Sequence, residues 1–502
     1  MAERSRGQQS DGPDPKAIIA EAMRKRDAGT PRAAIPAIRA ALETHPDHLR
    51  LWHVLGLMYR ADEDSANAIE AFTRAVAIAP RDPKVTHALA RVTMEAGRPA
   101  TDLFDKARQY SPADGSVIMG RAAAQSAVGD IEAAIADLDD LLGSNPLWIE
   151  GQELLANLRW MNGERDHFTA GFERALATHP SNQGLWFKLI NALCQVGRFN
   201  AADTVVERAR KYVTDVRVLD ISEAICASEV GDPDRADRLF DRVVPYTEMP
   251  LAVRYMRHML RTGRPEQAAK CGEERMQDAD ANEMWPYLGL AWRMTDDPRW
   301  DWLERDERLI KTYDIGERVD MTAFAEHLRT LHVLKADMAG QSVRGGTQTD
   351  GPLFARADPE IRELRAAIVD TVTAHMHTLA PIDSDHPVLR HSPGPFQFGG
   401  SWSVRLAGAG RHTNHIHPRG WYSSALYVSL PLQEDFGEPP AGWLAFGKPP
   451  EELGLDLEPF EIVEPKVGTL ALFPSIMWHG TIPFDAGERL TVAFDVQAPI
   501  SP

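Results

Sequence analysis

The chain has 502 residues, and its 55 Lys and Arg against 73 Asp and Glu give a formal net charge of −18. A chain this acidic repels the phosphate backbone, which argues against nucleic acid as a partner. No apolar run approaches the roughly 18 residues that a membrane-spanning helix needs, so the sequence also argues against a membrane protein.

The N-terminal segment 1–14 has no apolar stretch after its basic residues, so it predicts a disordered tail and no secretory signal. The chain has three widely spaced cysteines, Cys194, Cys226 and Cys271. Such spacing is typical of isolated thiols in a reducing compartment, and not of a disulfide framework. We therefore expect a cytoplasmic protein.

A repeat dominates the first three-fifths of the chain. Pro46, Pro80, Pro112, Pro146 and Pro180 are separated by 34, 32, 34 and 34 residues. Within 49–82, eight residues follow the pattern W-x2-L-G-x2-Y, then A, F, A and P: Trp52, Leu55, Gly56, Tyr59, Ala68, Phe72, Ala75 and Pro80. A second series at the same spacing marks the turn inside each helical pair: Gly29, Gly97, Gly129, Gly163, Gly197, Gly231 and Gly263, with Glu63 filling the one gap.

This pattern resembles the tetratricopeptide family. The resemblance implies pairs of helices, closely packed at the alanines, that bury their apolar faces only against neighbouring pairs. We predict an α-solenoid of about eight such repeats over residues 15–305. The concave face of such solenoids commonly holds an extended polypeptide.

The pattern of apolar residues changes after the repeats. Residues 306–394 predict connecting helices, with a helical period at 356–380 and a loop at 338–354. From residue 395 to 502, short apolar or alternating runs lie between Gly and Pro: FQFGGSWSVRLA, GWYSSALYVSLP, GWLAFGK, FEIVEP, GTLALFPS and RLTVAFDVQAP. Six strands without intervening helices predict an antiparallel sandwich or barrel.

Histidines gather where these strands begin. His415 and His417 lie in RHTNHIHPRGW, and His479 lies in FPSIMWHGTIPF. Side chains two residues apart share one face of an extended chain, so His415 and His417 can chelate one ion, and a third imidazole can complete the set. Arg489 follows His479 by ten residues, and Thr491 shares its face of the strand. A guanidinium and a hydroxyl suit a carboxylate ligand.

These motifs resemble the iron(II)- and 2-oxoglutarate-dependent oxygenases of the double-stranded β-helix (jelly-roll) fold. HIHP, SSALYV and GTLALFPSIMWH are similar to bacterial and phage members with an H-x-H-P motif. The fusion to repeats is also similar to aspartyl/asparaginyl β-hydroxylases. The resemblance implies Fe(II), the co-substrate 2-oxoglutarate and O2, with His415 and His479 on the metal. It also implies that Arg489 and Thr491 hold 2-oxoglutarate, and Tyr427 is a further candidate for a hydrogen bond to it.

Position 417 departs from that family, which usually has a carboxylate there. Three metal sets remain open: His415, His417 and His479; two histidines with water; or two histidines with an acid such as Asp485. We favour the three histidines, and we predict no catalytic side chain beyond the metal centre. We interpret His412 as a loop residue that does not bind the metal.

The leading functional hypothesis is a dioxygenase that hydroxylates a protein or peptide recruited by the repeat groove. A small-molecule substrate is an alternative. A cupin-like metalloenzyme is another, although the glutamate that cupins place soon after H-x-H is absent from PRGWYSS. A non-enzymatic interpretation is a repeat scaffold or adaptor with a degenerate barrel.

Overall fold

The computed structural model describes residues 14–379 and 381–499, and the side chains of residues 409 and 433 are not described. The predicted disordered tail, 1–14, therefore lies outside the described residues except for Asp14. The side chain of Asp14 accepts a hydrogen bond from the backbone N–H of Lys16 at 3.1 Å and caps the first helix.

Within the described residues, eighteen α-helices follow one another in nine successive pairs. The first ten are α1 Pro15–Asp27, α2 Ile35–Thr44, α3 Leu49–Ala61, α4 Ser65–Ile78, α5 Pro83–Glu95, α6 Thr101–Tyr110, α7 Gly115–Ala127, α8 Ile131–Ser144, α9 Ile149–Met161 and α10 Ala170–Thr178. The next eight are α11 Gln183–Gln195, α12 Phe199–Ala209, α13 Val216–Val230, α14 Pro233–Arg242, α15 Met249–Arg261, α16 Pro265–Glu273, α17 Trp285–Met294 and α18 Arg299–Glu304. None of the described helices is long and apolar enough to cross a bilayer.

One backbone conformation recurs at the turn inside each pair. All seven glycines of the predicted turn series have positive φ, between 69° and 88°, and Glu63 adopts 56°. Asp296 also has a positive φ, 53°, and extends the series to the last pair. Glycine adopts this left-handed conformation without strain, which explains its recurrence there. The structure thus has nine helical pairs where the sequence predicted about eight.

The chain divides into two compact units. The first comprises residues up to 124 together with 354–362, and the second comprises 125–353 and 363–501. In the first unit the repeat markers pack as their sizes predict. Phe72 is fully buried, and a Cβ at Gly56 would lie only 2.6 Å from its ring, so the small residue permits close helix approach. The Ser65 hydroxyl donates to the Ala355 carbonyl, and the Ala357 N–H donates to Ala96 at 3.1 Å.

The second unit contains two antiparallel sheets. Their strands are β1 Lys311–Asp314, β2 Val343–Gln348, β3 Phe398–His412, β4 Tyr422–Ser429, β5 Leu444–Phe446, β6 Glu461–Val463, β7 Thr469–Pro474, β8 His479–Thr481 and β9 Glu488–Val496. The larger sheet has the order β1-β7-β4-β9-β3-β2, and the smaller has the order β6-β5-β8. The predicted fold class, repeat helices followed by a jelly-roll, is confirmed.

Three further helices accompany the sheets: α19 Met321–Leu331, α20 Pro359–Thr378 and the short α21 Gln433–Phe436. All six predicted strand segments contain a strand. The prediction of a loop over 338–354 was wrong in part, because β2 lies within it and pairs with β3 at the edge of the larger sheet. Gly345, at φ 70°, lies in the bulge where the register of this pairing shifts. Region 306–394 therefore supplies two strands as well as connecting helices.

Candidate metal centre

Backbone pairing places two of the predicted histidines opposite each other. The N–H of His415 donates to the carbonyl of His479 at 2.9 Å, and the N–H of His479 donates back at 3.1 Å. The N–H of His417 donates to Ser475, at the end of β7, at 2.8 Å. The H-x-H segment is thus held against both sheets, and its imidazoles face one cavity.

The three imidazoles converge. The ring centroid of His415 lies 4.3 Å from that of His479 and 4.9 Å from that of His417, and His417 and His479 are 5.3 Å apart. One nitrogen from each ring lies within 4.8 Å of the others. Asp485, the alternative acid, is exposed in the turn between β8 and β9 and lies outside this group.

The other ring nitrogen of each histidine has a hydrogen-bond acceptor. His415 Nδ1 lies 2.8 Å from the carbonyl oxygen of Thr413, and His479 Nδ1 lies 2.9 Å from that of Met477. A carbonyl oxygen only accepts, so Nδ1 carries the proton and donates. Each Nε2 therefore keeps its lone pair, which is the form that binds a metal ion.

Electrostatics favour the same form. Burial and the neighbouring imidazoles lower the pKa of His415 well below its usual value. Burial, and to a smaller extent the neighbouring imidazole of His417, lower the pKa of His479 in the same way. Both rings are neutral at physiological pH as a result. Neutral imidazole is a good ligand for iron and other divalent transition metals.

His417 has a partner that the sequence analysis missed. Its Nδ1 lies 2.8 Å from Asp495 Oδ2, and Ser423 donates to the other oxygen of this carboxylate at 2.6 Å. The indole of Trp402 stacks on His417 with a centroid distance of 5.5 Å and an interplanar angle of 11°. The alternation that placed Thr491 on the face of Arg489 also places Asp495 there, so the signal was present in β9.

A fourth histidine lies at the rim of the centre. His412 ends β3 and lines the cavity, so its interpretation as a loop residue was wrong. The Ser342 hydroxyl lies 3.2 Å from both His412 Nδ1 and His415 Nε2. Ser342 had no signal in the sequence, because it belongs to the segment that was predicted to be a loop.

Arg489 lines the same cavity and is almost completely buried, which is unusual for a charged side chain. It is 2% exposed, and its Nη1 donates to the Gly442 carbonyl at 2.8 Å. Its Nε has no hydrogen-bond partner among the described residues. Burial lowers the pKa of Arg489, because the charged form is costly without a counterion. A buried guanidinium with an unused donor suits an anionic ligand.

The two other candidates differ in position. Thr491 lines the cavity beside Arg489. Tyr427 pairs with Thr491 across β4 and β9 and contacts Arg489, whose guanidinium carbon is 5.1 Å from the centre of its ring. The hydroxyl of Tyr427 is buried and has no partner among the described residues.

These residues fit a divalent cation and a dicarboxylate. Three imidazole nitrogens converge in the cavity, and the buried guanidinium of Arg489, with its unsatisfied N–H, lines the same cavity. A groove of about 610 Å³ adjoins the cavity and shares His412 and Thr481 with it. The volume of this groove falls in the usual range for small-molecule sites, whereas the cavity itself has a volume of about 50 Å³.

Two parts of the chain match family models. Residues 400–495 match a model described as "Putative 2OG-Fe(II) oxygenase", and residues 19–83 match one described as "Tetratricopeptide repeat". A comparison with curated proteins finds no match.

Solved structures resemble the helical region at low identity. A tetratricopeptide repeat protein from Parabacteroides merdae is 17% identical, with 47% of this chain and 95% of that chain covered, at a TM-score of 0.30. Yeast Tom70 is 15% identical, with 60% of this chain and 68% of that chain covered, at a TM-score of 0.37. At such scores the likeness carries no argument, and the fold assignment rests on the helical pairs and the repeat match.

Proposed function

Because the chain joins a tetratricopeptide repeat region to a domain of the 2OG-Fe(II) oxygenase type, we propose that it is an Fe(II)- and 2-oxoglutarate-dependent dioxygenase. The observation that carries this proposal is the convergence of His415, His417 and His479 within 4.8 Å in a cavity that Arg489 also lines. In this proposal the three histidines hold Fe(II), and Arg489 with Thr491 holds 2-oxoglutarate.

Each residue has a separate task. Bound iron with 2-oxoglutarate and O2 supplies the oxidising chemistry of this enzyme class. The Nδ1 hydrogen bonds of His415 and His479 fix the tautomer that points each lone pair into the cavity. Arg489 supplies charge and N–H donors for a carboxylate, and Thr491 adds a hydroxyl. Tyr427 contacts the guanidinium through a cation–π interaction, and its hydroxyl, which has no partner among the described residues, is the proposed additional donor for the co-substrate.

We further propose that the substrate is a protein or peptide. The groove beside the cavity is lined by both charged and apolar residues, including Arg411, Lys448 and Phe460. One wall of this groove contacts the last repeats, because Arg293 donates to the carbonyls of Gly447 at 2.9 Å and Glu458 at 2.6 Å. A polypeptide held by the last repeats would therefore lie next to this groove, which supports a protein or peptide as the substrate.

The cytoplasm is the proposed location. This proposal rests on Cys194, Cys226 and Cys271, which are free in the structure. Fe(II) and free thiols both persist best under reducing conditions.

The test of the enzymatic proposal is succinate formation by the 502-residue protein with Fe(II), 2-oxoglutarate and O2. We expect slow turnover without substrate, and we expect His479→Ala to abolish it. The control is His167→Ala, which replaces an exposed histidine of the repeat region and leaves turnover unchanged. Absence of turnover and of Fe(II) binding in the wild-type protein would support the scaffold interpretation instead. Peptides that gain one oxygen atom only with the active enzyme would identify the substrate.

A further inference from the structure

The three histidines differ in what their Nδ1 protons meet. His415 and His479 donate to backbone carbonyls two residues earlier in the chain. His417 donates to a carboxylate, that of Asp495, which is 78 residues away in sequence. The site therefore contains one imidazole whose partner is anionic and two whose partners are neutral.

We propose that Asp495 is a positioning residue that supplies, through His417, the negative charge that this site lacks among its direct metal ligands. The inference rests on the proposed function, since it requires His417 Nε2 to bind the metal. A carboxylate that accepts the Nδ1 proton raises the electron density on Nε2 and fixes the ring orientation. It thereby makes a neutral ligand a stronger donor to a divalent cation.

Charge balance in the cavity supports this role. Three imidazoles add no negative charge to offset a divalent cation, and the buried guanidinium of Arg489 lines the same cavity. Asp495 is the carboxylate hydrogen-bonded to a histidine of the group. Its charge lies one imidazole away from the metal position, whereas a carboxylate at position 417 would lie directly on it.

The structure around Asp495 is built to hold the carboxylate. Oδ2 accepts from His417, and Oδ1 accepts from Ser423 at 2.6 Å. The hydroxyl of Ser423 also lies 2.9 Å from that of Ser475. A Cβ at Gly420 would lie 2.4 Å from Ser475 Oγ and 3.3 Å from Asp495 Cβ, so a glycine leaves room for this cluster. The side chains of His417 and Asp495 are only 18% and 15% exposed, so solvent screens their interaction weakly.

The first test measures the affinity of the full-length protein for Fe(II) under anaerobic conditions by calorimetry, without 2-oxoglutarate. We expect Asp495→Asn to lower this affinity about 10–100-fold, because the variant removes the charge and preserves the shape. Glu488→Gln is the matched control. It neutralises another carboxylate of β9 that pairs with Arg329 and Arg405, so we expect it to leave the affinity unchanged.

The second test separates positioning from a merely structural role. His417→Asp places a carboxylate directly at the metal and removes the imidazole through which Asp495 acts. In this background Asp495 becomes a second negative charge beside the first, so Asp495→Asn should leave the affinity unchanged or raise it. A structural role for Asp495 predicts an equal loss of affinity in both backgrounds. The absorption spectrum of the Co(II)-substituted protein should also shift in Asp495→Asn with the wild-type histidine.

The outcomes are distinct. A wild-type protein that binds no Fe(II) contradicts the proposed function and this inference together. A wild-type protein that binds Fe(II), with an Asp495→Asn variant of equal affinity or equal losses in both backgrounds, overturns the inference alone. If Asp495→Asn does not fold, as judged by its thermal transition, Asp495→Ser removes the same charge from a smaller side chain and carries the same expectations.

Discussion

The indole N–H of Trp478 donates a 3.0 Å hydrogen bond to the backbone carbonyl of Pro286, at the start of α17. Trp478 also packs edge to face against Tyr287, with ring centroids 5.3 Å apart. The residue directly before His479 is thus anchored in the last repeat helices. Within the second unit, the side chain of Trp478 thus connects helix α17 directly to the residue next to His479.

Trp478→Phe should weaken both the fold and the metal centre. The substitution removes this hydrogen bond while the Pro286 carbonyl keeps its partner inside helix α17, so we expect the free energy of unfolding to fall by about 0.5–1.5 kcal/mol. We expect Fe(II) affinity to fall as well, because the backbone that orients His479 loses its anchor. The control is Trp186→Phe, since Trp186 donates a similar bond to Pro180 at 2.8 Å within the repeats. We expect this control to destabilise the protein and leave Fe(II) affinity unchanged. Parallel Fe(II) titrations of the Trp478→Phe and Trp186→Phe variants measure the difference.

Arg489→Met should abolish the response to 2-oxoglutarate without harming the empty protein. Removing the guanidinium should weaken 2-oxoglutarate binding by about 2–5 kcal/mol, because the co-substrate carboxylate loses its counterion. The variant also removes a buried cation with an unused donor, so its melting temperature without ligand should not fall. Thermal melting with and without 2-oxoglutarate tests both points. A ligand-induced stabilisation equal to that of the wild type would contradict the assigned role.

Tyr427→Phe distinguishes a structural tyrosine from one that contacts the co-substrate. The hydroxyl has no partner among the described residues, so its loss should leave the free energy of unfolding unchanged or raise it by about 1 kcal/mol. If the hydroxyl binds 2-oxoglutarate, the same variant should weaken co-substrate binding by about 0.5–1.5 kcal/mol. Binding measured by calorimetry provides the answer, and an unchanged affinity would assign Tyr427 to packing alone.

Glu304 should make stability depend on pH. Burial raises the pKa of this carboxyl from 4.5 to about 7, although the Trp300 indole donates to it. A raised pKa in the folded state stabilises the protein fully below pH 4.5, and this contribution is lost as pH rises through 7. Glu304→Gln should therefore be more stable than the wild type at pH 8, by about 3 kcal/mol, and similar to it near pH 4. Urea unfolding of both proteins across this range is the measurement, and identical profiles would contradict the prediction.

The repeats could be predicted from sequence because the spacing between their turn residues is kept even where the marker residues differ. The turn series found Glu63 by its position between two glycines, and the structure gives it the same positive φ. Asp296 was not predicted to belong to this series. The last pairs lack the proline and apolar marker residues, so a single non-glycine residue could not be assigned to a turn there. The number of repeats was therefore underestimated by one pair.

The candidate metal site was predictable only in part. His415, His417 and Arg489 lie in short motifs whose alternation defines a face, and the structure brings them into one cavity. Asp495 lies on the predicted face of β9, but its relation to His417 depends on how β9 aligns with a segment far away in sequence. Such a register has no local signal.

The two strands at the ends of the larger sheet have a practical consequence. Among the described strands, β1 pairs with β7 alone and β2 with β3 alone, and both come from sequence before residue 395. A shortened protein that starts at residue 395 would leave the backbone donors and acceptors of β3 and β7 open along two rows. Unprotected strand edges recruit other chains, so we expect such a fragment to aggregate. A chain that starts before Lys311 keeps both edges covered.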